Sequence, residues 1–265
     1  MGQLRDRAVA LSDERRRVCL LTGASGLLGS AFLRLYGHRY EIVAVSGTRA
    51  VTRPACVSWQ FDPLKPDIRT PASPRDFAAL RADLTDASQV SSVVEKALAR
   101  FGRIDLVVNA AAVARLSPLC PLGLLESTPG TAPGVIADLT RMLEVNTVAP
   151  LRLALEVARQ FWSSRAVENA TLNRNIVNVS STSAAYVFED QGQGGYSASK
   201  AALNMLTCHM AEELSALGVR VNAVAPDSFP HRISTESVCD AIVRLDRGAM
   251  NGAIWLQEAS CETAI

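Results

Sequence analysis

Tyr196 and Lys200 stand four residues apart in the run YSASK. On a helix this spacing puts a phenol and an ammonium on one face, one turn apart. A nearby cation favours the phenolate, so the pair is expected to lower the tyrosine pKa from its ordinary value of about 10. A phenol so tuned can exchange a proton with a substrate oxygen near neutral pH. Taken alone, a Y-x-x-x-K pair reads more simply as a solvated helix pair. It is not alone, because Ser180 and Ser181 end the apolar run NIVNV and Asn146 lies inside the helical stretch LEVNTVAP. In a sheet of parallel strands, reacting groups collect beyond the carboxyl ends of the strands, which is where Ser181 falls.

A second group of residues has the chemistry of phosphate binding. Thr22-Gly23-Ala24-Ser25-Gly26-Leu27-Leu28-Gly29 follows the apolar run VCLL and opens the helically spaced AFLRLYG. Gly23 allows a tight turn, Gly26 lets backbone approach a pyrophosphate, and Gly29 permits close helix packing. The N–H groups at the helix start, with its positive dipole end, then hold the phosphates. Gly23, Ser25, Gly26, Leu27, Leu28 and Gly29 are therefore assigned to a dinucleotide, the alternative being a glycine turn needed only for packing. A cofactor bearing a free 2′-hydroxyl calls for an Asp or Glu at the end of the second strand. That segment reads Val45-Ser46-Gly47-Thr48-Arg49, with no acid. Arg49, with the Ser46 and Thr48 hydroxyls, suits a 2′-phosphate instead, which favours NADP(H) over NAD(H); Arg49 as a solvated loop charge is the other reading. Asp83-Leu84, and Asn109-Ala110-Ala111 at the end of the strand IDLVVN, complete the adenosine side.

The elements that must position these groups alternate. VCLLT, EIVAVS, IDLVVN, NIVNVSS, VRVNAVAP and AIWLQ read as strands, separated by helical stretches such as DASQVSSVVEKALARF with its acidic cap and SASKAALNMLTCHMAEELSALG. Strands alternating with crossover helices predict a single-domain α/β fold, a doubly wound parallel sheet of the Rossmann type. The expected domain covers residues 16–259. It is preceded by a flexible extension over 1–15, interrupted by a proline-rich irregular insertion over about 52–80, and followed by a tail over 260–265. A second Pro/Gly-rich stretch runs from Ser117 to Gly134.

Composition excludes several function classes. Of 265 residues, 27 are Lys or Arg and 26 Asp or Glu, so no basic footprint for nucleic acid or an anionic membrane exists. No run of 18 apolar residues suggests a membrane span, and a cytoplasmic protein is expected. Six scattered cysteines and three histidines show no metal-ligand spacing, so no metal is expected.

In their order, TGASGLLG, the Asp83 position, NAAA, LEVN, IVNVSS, YSASK and VNAVAP make the sequence resemble the short-chain dehydrogenase/reductase family, from about Val18 to Ile254. The resemblance implies Asn146, Ser181, Tyr196 and Lys200 as a catalytic tetrad and Pro226 among the cofactor contacts. Tyr196 would protonate a carbonyl oxygen held by Ser181. Lys200 would bind the nicotinamide ribose, and Asn146 would anchor a water leading protons to Lys200. Three departures stand out. The glycine spacing G-x-x-G-x-x-G differs from the T-G-x-x-x-G-x-G of classical members. Pro-Gly after the sixth strand is replaced by Pro226-Asp227, with no clear match for a following nicotinamide-contacting threonine. The segment before TESVCDAIV is too short for the usual two-helix lid. An open site for a bulky or carrier-borne carbonyl substrate is expected, with any lid built from residues 113–135 or 183–195.

The expected activity is an NADP(H)-dependent carbonyl reductase, or alcohol dehydrogenase in reverse, on a small-molecule ketone or secondary alcohol. The alternatives are an epimerase or dehydratase on the same scaffold, or a catalytically silent nucleotide-binding regulator. The helices carrying Asn146 and Tyr196 are apolar on more than one side and need a second burial surface; the family resemblance implies that a homodimer or homotetramer supplies it.

Overall fold

The six runs read as strands become one sheet, which a seventh strand joins at its edge. The computed structural model describes residues 16–51, 59–61, 69–71, 77–119 and 131–259. The expected extension 1–15 and tail 260–265 lie outside the described residues. The strands are β1 (Arg17–Thr22), β2 (Tyr40–Ser46), β3 (Trp59–Phe61), β4 (Arg69–Pro71), β5 (Phe77–Arg81), β6 (Leu106–Asn109), β7 (Asn175–Val179), β8 (Arg220–Pro226) and β9 (Ile254–Gln257). The main sheet runs β5-β2-β1-β6-β7-β8-β9, and every pairing in it is parallel.

Helices cover both faces, which is why the central strands read as unbroken apolar runs rather than alternating ones. Along β1 the side chains divide between two cores. Val18 and Leu20 pack with Val90 and Val94 of α2 (Ala87–Phe101), Leu153 of α4 (Ala149–Val157) and Met210 of α6 (Gly194–Ser215). Cys19 and Leu21 pack with Phe32 of α1 (Leu27–Tyr36) and Ile242 of α7 (Thr235–Arg247). The remaining helices are α3 (Thr131–Leu143), which continues through a π turn (Glu144–Val148) into α4, and α5 (Ala166–Thr171).

The chain moves outward from β1 through β2 to β5, then returns to β6 on the other side of β1. Beyond the carboxyl ends of β1 and β6 this reversal opens the crevice where such sheets bind ligands. The opposite edge of the sheet is closed by buried ions. Asp105 accepts from Val18 N at 2.9 Å and pairs with Arg174 at 3.2 Å. Asp246 accepts from the Tyr40 hydroxyl and Asn175 Nδ2, both at 2.9 Å, and pairs with Arg17 at 3.0 Å.

The span 52–80 differs from the irregular insertion expected. Within it β3 and β4 pair antiparallel, and β5 joins the main sheet beside β2. As an edge strand β5 buries little of its surface, so FAALR lacks the apolar run that marks the inner strands. The Pro/Gly-rich stretch also ends sooner than expected, because α3 starts at Thr131 and Pro133 sits in its first turn, where a missing N–H costs nothing. Residues 52–58, 62–68, 72–76 and 120–130 lie outside the described residues.

Candidate active site

The glycine turn joins β1 to α1. Gly23 adopts φ +65°, and a Cβ there would lie 2.6 Å from the Ala110–Ala111 backbone, so a side chain is excluded twice over. Thr22 Oγ1 accepts from Ala110 N at 3.1 Å and Ala111 N at 3.2 Å, tying the ends of β1 and β6 together. Gly26 caps α1 with no side-chain hydrogen bond, and no acid stands in the first turn. Those first-turn N–H groups therefore remain open to an anion. A cleft of about 790 Å³ extends from this turn, lined by Ser25, Leu27, Ser30, Arg49 and Thr235 among others. An uncapped helix start, a glycine cradle and a basic cleft fit the pyrophosphate and phosphate groups of a dinucleotide.

The other residues assigned to the cofactor are placed unevenly. Arg49 is exposed and pairs with no acid among the described residues. Ser46 departs from expectation: as the last residue of β2 it is 2% exposed, with its Oγ unbonded, and it lies outside the cleft lining. Thr48 is exposed and also outside that lining. Leu28 and Gly29 are buried in the packing of α1. Asp83 is exposed at the carboxyl end of β5, and its carboxyl is held below the ordinary range by backbone and hydroxyl bonds from Thr85. Leu84 packs against the core. Asn109 is buried and donates to Asn178 Oδ1 at 2.8 Å, while Asn178 donates to Thr207 Oγ1 at 2.8 Å, which makes it a clamp between strands and α6. Ala110 and Ala111 are half-buried at the end of β6.

A second cavity, of about 430 Å³, brings Ser181, Tyr196 and Pro226 together from the end of β7, the first turn of α6 and the end of β8. Burial pushes the Tyr196 phenol up, and a hydrogen bond with the Ser181 side chain pulls it partly back. Lys200 is 2% exposed, and burial alone pushes it down to about 8. Its Nζ donates to Val179 O at 2.7 Å and stands 5.8 Å from the Tyr196 ring centroid. The expected lowering of Tyr196 by Lys200 is thus reversed here. The ammonium is directed at a strand carbonyl, and it is burial that sets the direction for the phenol.

Asn146 sits in the π turn between α3 and α4, fully buried. Its amide clamps residue 113, donating to Val113 O and accepting from Val113 N, each at 2.8 Å. Nδ2 also reaches Ser199 Oγ at 3.0 Å, and Thr147 Oγ1 donates to Ser199 O at 2.8 Å. The π turn therefore locks α4 to the helix that carries Tyr196 and Lys200.

Sequence reasoning located the loops around this cavity but not their contributing side chains. Gln191 and Gln193 line it, whereas the charged neighbours Glu189 and Asp190 are exposed and do not. The selection is made by left-handed backbone at Asp190 and Gly192, which no composition signal marks. Ser183 also lines it, donating to Gln193 Oε1 at 2.6 Å. Gly192 packs on Ser117 and Pro118, so loops 183–195 and 113–119 lie against each other. The short segment after Pro226 contributes Asp227, Phe229 and Arg232, while His231 is exposed and lines neither cavity. Thr235, at the first position of α7, lines the first cleft.

A sequence model for short chain dehydrogenases matches residues 17–238. The chain belongs to the short chain dehydrogenase family. It is accordingly an NAD(P)-dependent dehydrogenase/reductase. The chain is similar to a 3-oxoacyl-(acyl-carrier-protein) reductase of Thermotoga maritima, 29% identical over 210 residues, 79% of this chain and 73% of the relative. It is also similar to human 3-hydroxyacyl-CoA dehydrogenase type-2, 30% identical over 163 residues, 60% of this chain and 59% of that one. Among solved structures, a short-chain dehydrogenase/reductase of Serratia marcescens superposes with a TM-score of 0.65 at 24% identity, covering 92% of this chain and 96% of the other. A Brucella ovis oxidoreductase of the same family, in complex with a partially ordered NAD, gives 0.66 at 23% identity over 91% and 99%. These two likenesses concern the fold. No helix among the described residues of this family member is long and apolar enough to cross a membrane.

Proposed function

We propose that this short chain dehydrogenase is an NADP(H)-dependent carbonyl reductase, and an alcohol dehydrogenase in reverse, acting on a ketone or secondary alcohol. The observation that carries the reading is the shared cavity of Ser181 and Tyr196 at the carboxyl edge of the sheet. When bound, the nicotinamide supplies the hydride for reduction or accepts it in oxidation. Ser181 Oγ holds the substrate oxygen, and Tyr196 Oη gives that oxygen its proton. Lys200 holds positive charge behind the phenol, and Asn146 positions the helix that carries both. The Gly23–Gly29 turn holds the phosphates, with Asp83, Leu84, Asn109, Ala110, Ala111 and Pro226 shaping the cofactor's bed. Arg49 supports a 2′-phosphate, because it lines the cleft beside the end of β2 and pairs with no acid among the described residues. The relatives' names, a 3-oxoacyl reductase and a 3-hydroxyacyl dehydrogenase, support a ketone and secondary alcohol as the reacting pair.

Single-turnover hydride transfer from NADPH to a ketone tests the assignment. Tyr196→Phe is expected to slow it by about 10²–10⁴-fold while NADPH still binds. A variant as fast as wild type would remove Tyr196 from the chemistry. For the cofactor, Arg49→Ala is expected to weaken NADPH about tenfold in calorimetric titration and leave NADH almost unchanged. Equal weakening of both nucleotides would overturn the 2′-phosphate reading. A second copy of the chain is proposed to cover the outer faces of α4 and α6.

A further inference from the structure

The wall of the second cavity holds hydroxyl, amide and apolar groups, one carboxylate, Asp227, and one cation. Leu116, Phe188 and Phe229 give the apolar part. The Gln193 amide is engaged at both ends, since Ser183 Oγ donates to Gln193 Oε1 at 2.6 Å and Gln193 Nε2 to Gln191 Oε1 at 2.5 Å. Among the described lining residues only Arg232 carries positive charge. Lys200 is buried behind Tyr196 and engaged with the Val179 carbonyl.

Arg232 is held in place without being used up. The segment after β8 is a tight turn in which Arg232 N donates to Ser228 O at 2.7 Å and Ile233 N donates to the same oxygen at 3.2 Å. Phe229 and Ile233 pack into the core beneath it, and Asp227 N extends the ladder to Gln257 O at 2.8 Å. The guanidinium is therefore presented from a pinned backbone, which reduces the ordering cost of binding. Its acidic partner is Asp227, with Nη1 and Oδ2 separated by 3.4 Å. A charge-assisted pair in firm contact closes to about 2.7–2.9 Å. The other Asp227 oxygen accepts from Ser228 N at 2.7 Å, so this carboxylate is committed to the turn. Arg232 remains 59% exposed, and a guanidinium has five N–H donors in a planar fork, so one edge stays open to a second carboxylate.

We infer that Arg232 is a specificity-determining residue that pairs with a carboxylate on the same molecule as the reacting carbonyl, making the substrate an oxo acid or the matching hydroxy acid. The inference rests on the reductase reading, since Ser181 and Tyr196 hold the other end of that molecule. Asp227 sets the direction of the fork.

The test compares wild type, Arg232→Gln and Arg232→Lys on acetoacetate and levulinate against the methyl esters of both, with kcat and KM read separately and NADPH affinity measured by titration. Arg232→Gln is expected to raise KM for the two acids by about tenfold or more, with kcat, the esters' KM and NADPH affinity each changing less than about threefold. Arg232→Lys is expected to recover part of the loss for the acids. Acid and ester KM values that move together would overturn the inference. So would a loss of NADPH affinity in Arg232→Gln, which would assign the guanidinium to the cofactor's phosphates. A wild type that reduces the esters but not the acids would overturn it while leaving the reductase reading intact. A wild type that binds no nicotinamide nucleotide and reduces none of the four would overturn both.

Discussion

Lys200 is buried, bonded to the Val179 carbonyl, and pushed down to about 8. The unfolded chain keeps the ordinary lysine value near 10.4. Between those two values the unfolded state binds a proton that the folded state has released. Stability therefore rises with pH across that window, and below about 8 the folded protein carries the full cost of a buried ammonium. Lys200→Met, an apolar side chain of similar length, removes that cost and leaves the Val179 carbonyl without its donor. The variant is expected to lack activity yet to be more stable than wild type at pH 7 by about 1–2 kcal/mol. The advantage should vanish by about pH 10. Urea denaturation at the two pH values checks this. A variant less stable at pH 7, with no pH-dependent difference, would show that burial does not govern this lysine. The Tyr196–Lys200 spacing was legible in the sequence because one helix supplies both groups. The direction of the Tyr196 shift was not, because Val179 and Ser181 come from a strand whose distance from the helix no local pattern encodes.

Among the elements, the first βα turn shows how a helix can be obliged to carry glycine. In a helix interior, glycine to alanine ordinarily stabilises through reduced chain entropy. At Gly29 a Cβ would stand 2.3 Å from Gly23 O and 2.7 Å from Ala24 Cα, both backbone atoms of the preceding turn. Neither can move without displacing the N-terminus of α1 from the phosphate cradle. Gly29→Ala is therefore expected to destabilise by about 2 kcal/mol and to weaken NADPH binding together with NADH binding. Chemical denaturation with parallel titrations reads both effects, and a variant of raised stability with intact binding would refute the packing argument. Glycines and caps of this kind could be read directly from sequence: Asp86 accepts from Ser88 N and Gln89 N at the start of α2, as its acidic position announced. Inner strands were legible for a similar reason, since burial on both faces demands unbroken apolar runs. The edge strand β5 was not, having one paired side and a half-exposed face. The π turn at Asn146 was equally hidden. Its bonds to Val113 and Ser199 are tertiary, and the sequence EVNTV continues a helical pattern without a break.

At the scale of the whole molecule, the two edges of the sheet do opposite work. Asp105 and Asp246, buried among Arg17, Arg103 and Arg174, seal the amino edge, and both cavities open at the carboxyl edge. One flank is left unfinished. The helix through the π turn and α4 lies beside α6, joined by Thr147 and Asn146 to Ser199, and their outer faces expose Val148 at 40%, Leu155 at 56% and Met205 at 62%. Val148 and Leu155 are seven residues apart, two turns along one face, so they form a stripe rather than scattered exposure. A second copy laid on this stripe would cover apolar surface and press directly on the helix pair that holds Asn146, Tyr196 and Lys200. Stable dimers bury about 800 Å² per partner, an area within reach of two helices from each copy. Sedimentation should therefore give a mass of two or four times the 28.3 kDa chain. The double variant Leu155→Arg, Met205→Arg, which places like charges on both halves of the stripe, should sediment as the single chain and melt at a lower temperature. A monomeric wild type would mean that these side chains are tolerated surface residues, and the π turn would then have to hold the two helices in register from within one chain.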